Sequence, residues 1–391
     1  MRHGDLSRIV DADGHYVEDV AAWAGYLPRL HGDAAPRLII GDDGIERFVV
    51  GDLYALPSFG SNLMSAMSIG DGLTPRDRAA GAPEVRGRRI AESAPGGLDP
   101  FERLKLMDDE GIALSVLYPT LALALLPSLG DPRVALALAR ALNTWVVERY
   151  ATADPVRLLP VATIPLHDPA GAADELRRCV ELQGMKAAWV SPAPVMGRCV
   201  DDPEHDVVWA TAEELGVPVT THHGSGGGAV PALGRERNST WLGSHAMGHT
   251  FEAMAAVVGL YTSGVFSRFP TLRWGFMEAG CGWLPFWLEQ IHEHAERMEV
   301  LLPAGADLGE IREIVGSRCV VTGEGEDPFV PSVLAGVGSG TVVWASDYPH
   351  FDCSLPGLTA EVRERGDLDD LARRRFAVAN AVDFFALDAD L

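Results

Sequence analysis

Positive charge is scarce in this sequence. Lys and Arg number 32 against 55 Asp and Glu, which leaves a formal charge of −23 over 391 residues. Phosphate backbones and anionic bilayers are held by basic patches, so the composition excludes nucleic acid and anionic membranes as partners. Cysteine is sparse too. Cys179, Cys199, Cys281, Cys319 and Cys353 are scattered, odd in number and never in CxxC spacing. That excludes a disulfide scaffold and fits free thiols in a reducing compartment. No apolar run reaches membrane-spanning length, and MRHGDLSRIVDADG lacks the apolar segment of a secretory signal. These absences predict a cytoplasmic protein whose acidity serves solubility. No Gly/Ser linker and no internal repeat divides the chain, so residues 1–391 read as one domain.

Apolar residues make up 47% of the chain, enough for a large core. From Leu98 onward they are ordered. FERLKLMDDEGI has helical spacing, ALSVLYPT reads as a buried strand, and ALALARALNTWVVERYATA is a helix. The alternation continues to the closing helix LARRRFAVANAVDFFAL. Strands are expected near 9–13, 114–118, 158–164, 185–190, 217–222, 272–278, 318–323 and 341–346. Strand–helix alternation implies parallel strands, and this number implies an α/β chain closed into a (β/α)8 TIM barrel. Residues 16–98 lack that periodicity and are rich in Gly, Pro and Asp. A loop so long, directly behind the first strand, predicts a lid-like insertion after strand 1, at about 19–95; a solvated excursion is the plain alternative.

In such barrels the active site lies at the carboxyl ends of the strands. In Ile9-Val-Asp-Ala-Asp-Gly-His15, Asp13 and His15 are two apart, and strand side chains alternate faces, so both point the same way. A carboxylate beside an imidazole suits a divalent metal. Strand 5 ends in His222-His223, of which His222 shares the inner face and His223 points away. Strand 6 ends in Glu278 and strand 8 in Asp347, within SDYPH. His249, in SHAMGHTFEAM, starts the helix after strand 5, with His245 a weaker candidate. Turn-capping for Asp13 and Asp347, and core packing for His222, are the bland readings. Metal-type side chains at several strand ends on one rim argue against them.

IVDADGH, RLKLMDDEGIALSVLYPT, VPVTTHHG, GVFSRFPTLRWGFMEAGCGWLPFWLE and WASDYPHFD together carry a family resemblance. The chain resembles the amidohydrolase superfamily, in the branch of aromatic-acid and aminocarboxymuconate-semialdehyde decarboxylases. The resemblance implies one divalent metal. Its strand-1 ligand pair, usually His-x-His, falls on Asp13 and His15; its strand-5 ligand falls on His222. Asp347 falls on the aspartate that is both ligand and proton-transfer group. One departure stands out. Relatives have a histidine after strand 6, where this chain reads Met277-Glu-Ala-Gly-Cys281. Either Glu278 or His249 takes its place, or the chemistry differs. Strand 4 ends in Trp189-Val-Ser191 without lysine, which favours a single metal over a carbamylated-lysine pair.

The resemblance implies non-oxidative decarboxylation of a small carboxylated, aromatic or unsaturated substrate, with Asp347, His249 and Glu278 as catalytic groups. Hydrolysis by metal-activated water is the alternative and uses the same residues. Zinc is expected first, with manganese or iron as alternatives. A homodimer or larger assembly is implied, with WLPFWLEQ offering a surface. Arg235 and Arg237 are candidates to hold a carboxylate. Trp241, Tyr118 and Trp189 are candidates for an aromatic pocket, with core packing the plainer role of Trp189. A non-catalytic barrel is disfavoured by the retained ligand set. A Cys281 nucleophile is disfavoured because GCGW supplies no base.

Overall fold

Strand β1 (Ile9–His15) is buried at every residue and runs parallel to β5 (Ile112–Tyr118). The computed structural model describes residues 6–42, 44, 46–51, 53–55, 89–224, 233–234, 237–238, 241–298, 301, 308–350, 353 and 357–387. Between β1 and β5 lies an antiparallel sheet of β2 (Arg37–Ile40), β3 (Glu46–Val50) and β4 (Leu53–Ala55). Beyond β5 follow β6 (Leu158–Pro160), β7 (Ala162–Thr163), β8 (Ala188–Val190) and β9 (Val219–Thr221). The last strands are β10 (Trp274–Phe276), β11 (Cys319–Gly323) and β12 (Val342–Trp344).

The ladders run β1-β5-β6 and β7-β8-β9-β10-β11-β12. Only Val161 separates β6 from β7. The first pairs with β5 and the second with β8, so they are two halves of one strand. Counted together, eight parallel strands make one continuous row. Its two ends meet. The Asp347 amide donates to Asp13 O at 2.9 Å, and the His15 amide donates to Tyr348 O at 2.7 Å. The row is therefore a TIM-barrel wall, and each expected strand position carries an observed strand.

Helices cover the outside. They are α1 (Val20–Gly25), α2 (Pro100–Glu110), α3 (Pro132–Val146), α4 (Pro169–Gln183), α5 (Asp206–Leu215), α6 (Trp241–Thr262) and α7 (Leu284–Arg297). Their ends follow local chemistry. Asp99 accepts from the amides of Phe101 and Glu102 and Pro100 opens α2, while Gly111, at φ 72°, closes it. Among the described residues, no helix is long and apolar enough to cross a membrane.

The region behind β1 departs from the irregular loop expected there. Its described part contains α1 and the β2–β4 sheet, because RLII and ERFVV are short β-branched runs between turns. Trp23 of α1 stacks on Phe48, ring centroids 5.8 Å apart, and its indole N–H donates to Leu138 O of α3 at 3.0 Å. These contacts seat α1 and the sheet on the outer helical layer. Residues 56–88 of the expected lid lie outside the described residues.

Candidate metal centre

β1 delivers Asp13 and His15 together, and the local sequence explains how. Gly14 lies between them against β5. A Cβ there would stand 2.3 Å from Arg103 Nη2, 2.5 Å from Asp11 Oδ2 and 2.6 Å from Ser115 Oγ, so no side chain fits. That crowding marks a buried polar tie under the site. Ser115 Oγ and Ser346 Oγ donate to Asp11 Oδ2 at 2.6 and 2.9 Å, and the Ser346 amide donates to Asp11 Oδ1 at 3.0 Å. Arg103 reaches in from α2. It donates to the carbonyls of His15 and Tyr348 at 3.3 Å each and to Ser115 Oγ at 3.1 Å. One buried arginine therefore links β1, β5 and the segment after β12.

The two imidazoles have assignable tautomers. His15 Nδ1 lies 2.9 Å from Pro119 O, and His222 Nδ1 lies 3.1 Å from His223 O. A carbonyl only accepts, so each Nδ1 carries the proton and each Nε2 presents a lone pair. Those Nε2 atoms stand 3.2 Å apart. Asp13 Oδ1 is 3.6 Å from both, and neither Asp13 oxygen has a hydrogen-bond partner although the residue is fully buried. Three electron-rich atoms facing one another out of water repel unless a cation lies between them. Ligand atoms around an ion with ~2.0–2.2 Å bonds sit about 3 to 3.6 Å apart, the spacing seen here. The donor set thus fits a divalent metal.

Around this triangle stand further donors. Asp347 Oδ1 is 3.2 Å from His15 Nε2, and Glu278 Oε2 is 3.2 Å from His222 Nε2. His350 Nδ1 approaches Asp347 Oδ1 to 2.7 Å without hydrogen-bond geometry, and its ring lies 4.0 Å from that of His15. Donor atoms of Asp13, His15 and His222 form one compact group; those of His15, Glu278, Asp347 and His350 form another, each within 4.8 Å. Glu278 and Asp347 have φ of 47° and 51°. Such backbone costs about 1–3 kcal/mol in a residue other than glycine, and it clusters where side chains must be aimed.

Burial opposes charge on the separate members of the group. It pushes the Asp13 carboxyl well above the usual carboxylate range, reinforced by the negative charges of Asp347 and Asp11. It holds His222 well below the usual imidazole range, helped by the positive field of His15 and His350. His249 is likewise held neutral by burial, with His223 and His245 adding to the effect. Neutral imidazole is the ligating form.

The remaining expected residues sort as follows. His249 Nε2 is 3.4 Å from Glu278 Oε1, which brings it to the rim. His223 and His245 pack around His249, with ring centroids 5.5 and 5.2 Å from it, and belong to neither donor group. Tyr118 lies 5.4 Å from the His222 ring and donates its hydroxyl to Thr220 at 3.1 Å. Trp189 is buried and its indole donates to His222 O at 2.9 Å, so it braces the chain just past β9. Cys281 donates its thiol to Asp327 at 3.2 Å, and burial pushes that thiol far up, which leaves it inert. Arg235 and the side chain of Trp241 lie outside the described residues. Sequence reasoning missed His350, Asp11 and Arg103. His350 stood in plain view three residues after Asp347, in SDYPH.

Beside the centre opens a cavity of about 460 Å³, lined by Asp13, Glu278, Glu324, Glu326, Asp327 and Asp347 among others. Its wall is acidic, and no basic side chain appears among its described lining.

The gamma-resorcylate decarboxylase of Rhodococcus jostii is 27% identical over 300 residues, covering 73% of this chain and 87% of its own. An amidohydrolase from Mycobacterium avium subsp. paratuberculosis superposes with a TM-score of 0.74 at 22% identity, over 98% of this chain and 99% of that one. The 5-carboxyvanillate decarboxylase of Novosphingobium aromaticivorans, complexed with manganese and 4-hydroxy-3-methoxy-5-nitrobenzoic acid, superposes with a TM-score of 0.67 at 17% identity. That match spans 97% of this chain and 96% of the other. The family model described as Amidohydrolase matches residues 10–387. With its barrel rim built around a divalent-metal donor set, the chain belongs to the amidohydrolase family, as a metal-dependent lyase or hydrolase.

Proposed function

We propose that the chain decarboxylates a small carboxylated aromatic or unsaturated compound at one divalent metal held by Asp13, His15, His222 and Asp347. The observation that carries the metal is the pair of Nε2 lone pairs 3.2 Å apart, each 3.6 Å from the fully buried Asp13 carboxyl group. Relatives named as decarboxylases, such as that of Rhodococcus jostii, support the reaction class. When bound, the metal supplies Lewis acidity, which stabilises negative charge on substrate oxygens or lowers the pKa of a water.

The protein does the rest. Asp347, at the rim, delivers a proton to the carbon that bears the carboxylate. The bond to the carboxylate then breaks, its electrons restore the unsaturated system, and carbon dioxide leaves. Glu278 and the neutral His249, 3.4 Å apart at the same rim, are the other proton-handling groups of this reading. Zinc is our first assignment and manganese, as in the Novosphingobium structure, the alternative. We also propose a cytoplasmic homodimer, with the exposed Phe286 of α7 at its surface.

One observation favours hydrolysis as the second reading. The acidic side chains among the described lining of the cavity oppose a substrate carboxylate. Turnover in heavy water separates the two, with hydroxylated benzoates as substrates, beginning with gamma-resorcylate. Decarboxylation leaves deuterium on the product carbon and releases carbon dioxide. Amide or ester cleavage with no carbon-bound deuterium would replace the first reading by the second.

A further inference from the structure

We propose that Glu278 is itself a ligand of the metal, supplied through Oε2, with His249 packed against it outside the coordination sphere. The inference rests on the metal-dependent reading above. Its argument is geometric. Glu278 Oε2 is 3.2 Å from His222 Nε2. The proton of His222 sits on Nδ1, which faces the His223 carbonyl at 3.1 Å. A carboxylate oxygen therefore faces an imidazole lone pair, an arrangement that a shared cation makes favourable. Carboxylate and imidazole oxygens and nitrogens at this separation match two ligands of one small ion, about 3 to 3.6 Å apart. The same spacing joins His15 Nε2 to Asp347 Oδ1, at 3.2 Å.

Two more observations point the same way. Glu278 shares a group with His15, Asp347 and His350 whose donor atoms all lie within 4.8 Å. Its φ of 47° places it in the left-handed region, where the turn after β10 aims the side chain at the centre. The second oxygen lies on the other side. Oε1 is 3.4 Å from His249 Nε2 without a hydrogen bond, so His249 packs beside the carboxylate from outside the coordination sphere.

The charge consequence is specific. Asp13, Glu278 and Asp347 bring three negative charges to a doubly charged ion. An oxygen-rich, anionic set narrows the usual advantage of zinc over manganese, whereas an imidazole in place of Glu278 widens it.

The test uses full-length protein stripped of metal and titrated with Mn²⁺, with the free ion read by electron paramagnetic resonance. Glu278→Gln keeps shape and one oxygen but not the charge, and it should bind Mn²⁺ roughly tenfold more weakly. Glu278→Ala should bind about a hundredfold more weakly or worse, since about a hundredfold is already the upper end for groups that only orient ligands. Both should change the spectrum of the bound ion. Glu278→His should keep binding and raise the zinc-to-manganese affinity ratio. Wild-type affinity and an unchanged bound spectrum in both Gln and Ala variants would overturn the proposal, and so would an unshifted ratio in Glu278→His. Asp13→Asn, run in parallel, tests the centre itself. If it alone loses Mn²⁺, the metal stands and Glu278 is no ligand; if Asp13→Asn also binds normally, the centre is misplaced. His249→Ala should leave Mn²⁺ bound yet broaden its spectrum, as a disordered carboxylate would.

Discussion

Replacing Arg103 by Met should loosen the metal centre without touching a ligand. Methionine keeps much of the apolar stem and removes the charge. Arg103 is 2% exposed, and its guanidinium is 3.7 Å from Asp11 Oδ2 while donating to two carbonyls and Ser115. Removing one partner of a buried pair costs about 3–5 kcal/mol, mostly because the other charge stays buried. Asp11 keeps its serine donors, so we expect about 3 kcal/mol, the low end of that range. The two carbonyls released belong to His15, a proposed ligand, and to Tyr348, next to another. Metal affinity should therefore fall by about ten- to a hundredfold, as for other groups that orient ligands. Denaturation followed by tryptophan fluorescence gives the stability, and Mn²⁺ titration gives the affinity. A double-mutant cycle with Asp11→Asn should show coupling above about 1 kcal/mol. Stability within about 0.5 kcal/mol of wild type, the range of an ordinary surface change, together with unaltered affinity would refute the reasoning.

Three further outcomes are expected. Asp347→Asn keeps a ligand oxygen but cannot deliver a proton; it should hold metal and turn over about a hundredfold more slowly or worse, the size of a lost acid–base step. A metal-loaded variant at the wild-type rate would remove Asp347 from proton transfer. Glu18 is buried and accepts from the amides of Thr120, Leu121 and Ala122; burial raises its carboxyl from 4.5 to about 7. Between those values the folded state holds a proton that the unfolded chain has lost, so stability falls as pH rises, by about 3 kcal/mol in all. Thermal melts of Glu18→Gln should lack that part of the slope, and an identical pH profile would contradict it. Light scattering should give a dimer, and a mass near 41.9 kDa at micromolar concentration would contradict it.

Most of the barrel could be read from the chain because its strands are short apolar runs at regular intervals. The rim could be read because Asp13, His15, His222, Glu278 and Asp347 follow those runs directly. What could not be read depends on distant parts meeting. Nothing around Arg103 in PFERLKLMDDE says that it turns inward; its position on an ordinary helix suits a solvated charge equally well. Its burial follows from Gly14, 89 positions earlier and on strand β1. His350 was overlooked because it lies past the strand, and its return to the centre follows the backbone reversal at Asp347, φ 51°. The β2–β4 sheet was hidden by brevity, since three strands of three to five residues broken by Gly and Asp leave no sustained period.

The central claim is that β1, β9 and the end of β12 hold a metal between them. Elemental analysis of the purified protein tests it most directly. Wild type and His223→Ala should carry about one divalent ion per chain, and His222→Ala should carry little or none. A wild type without metal, or a His222→Ala variant with full occupancy, would contradict the account.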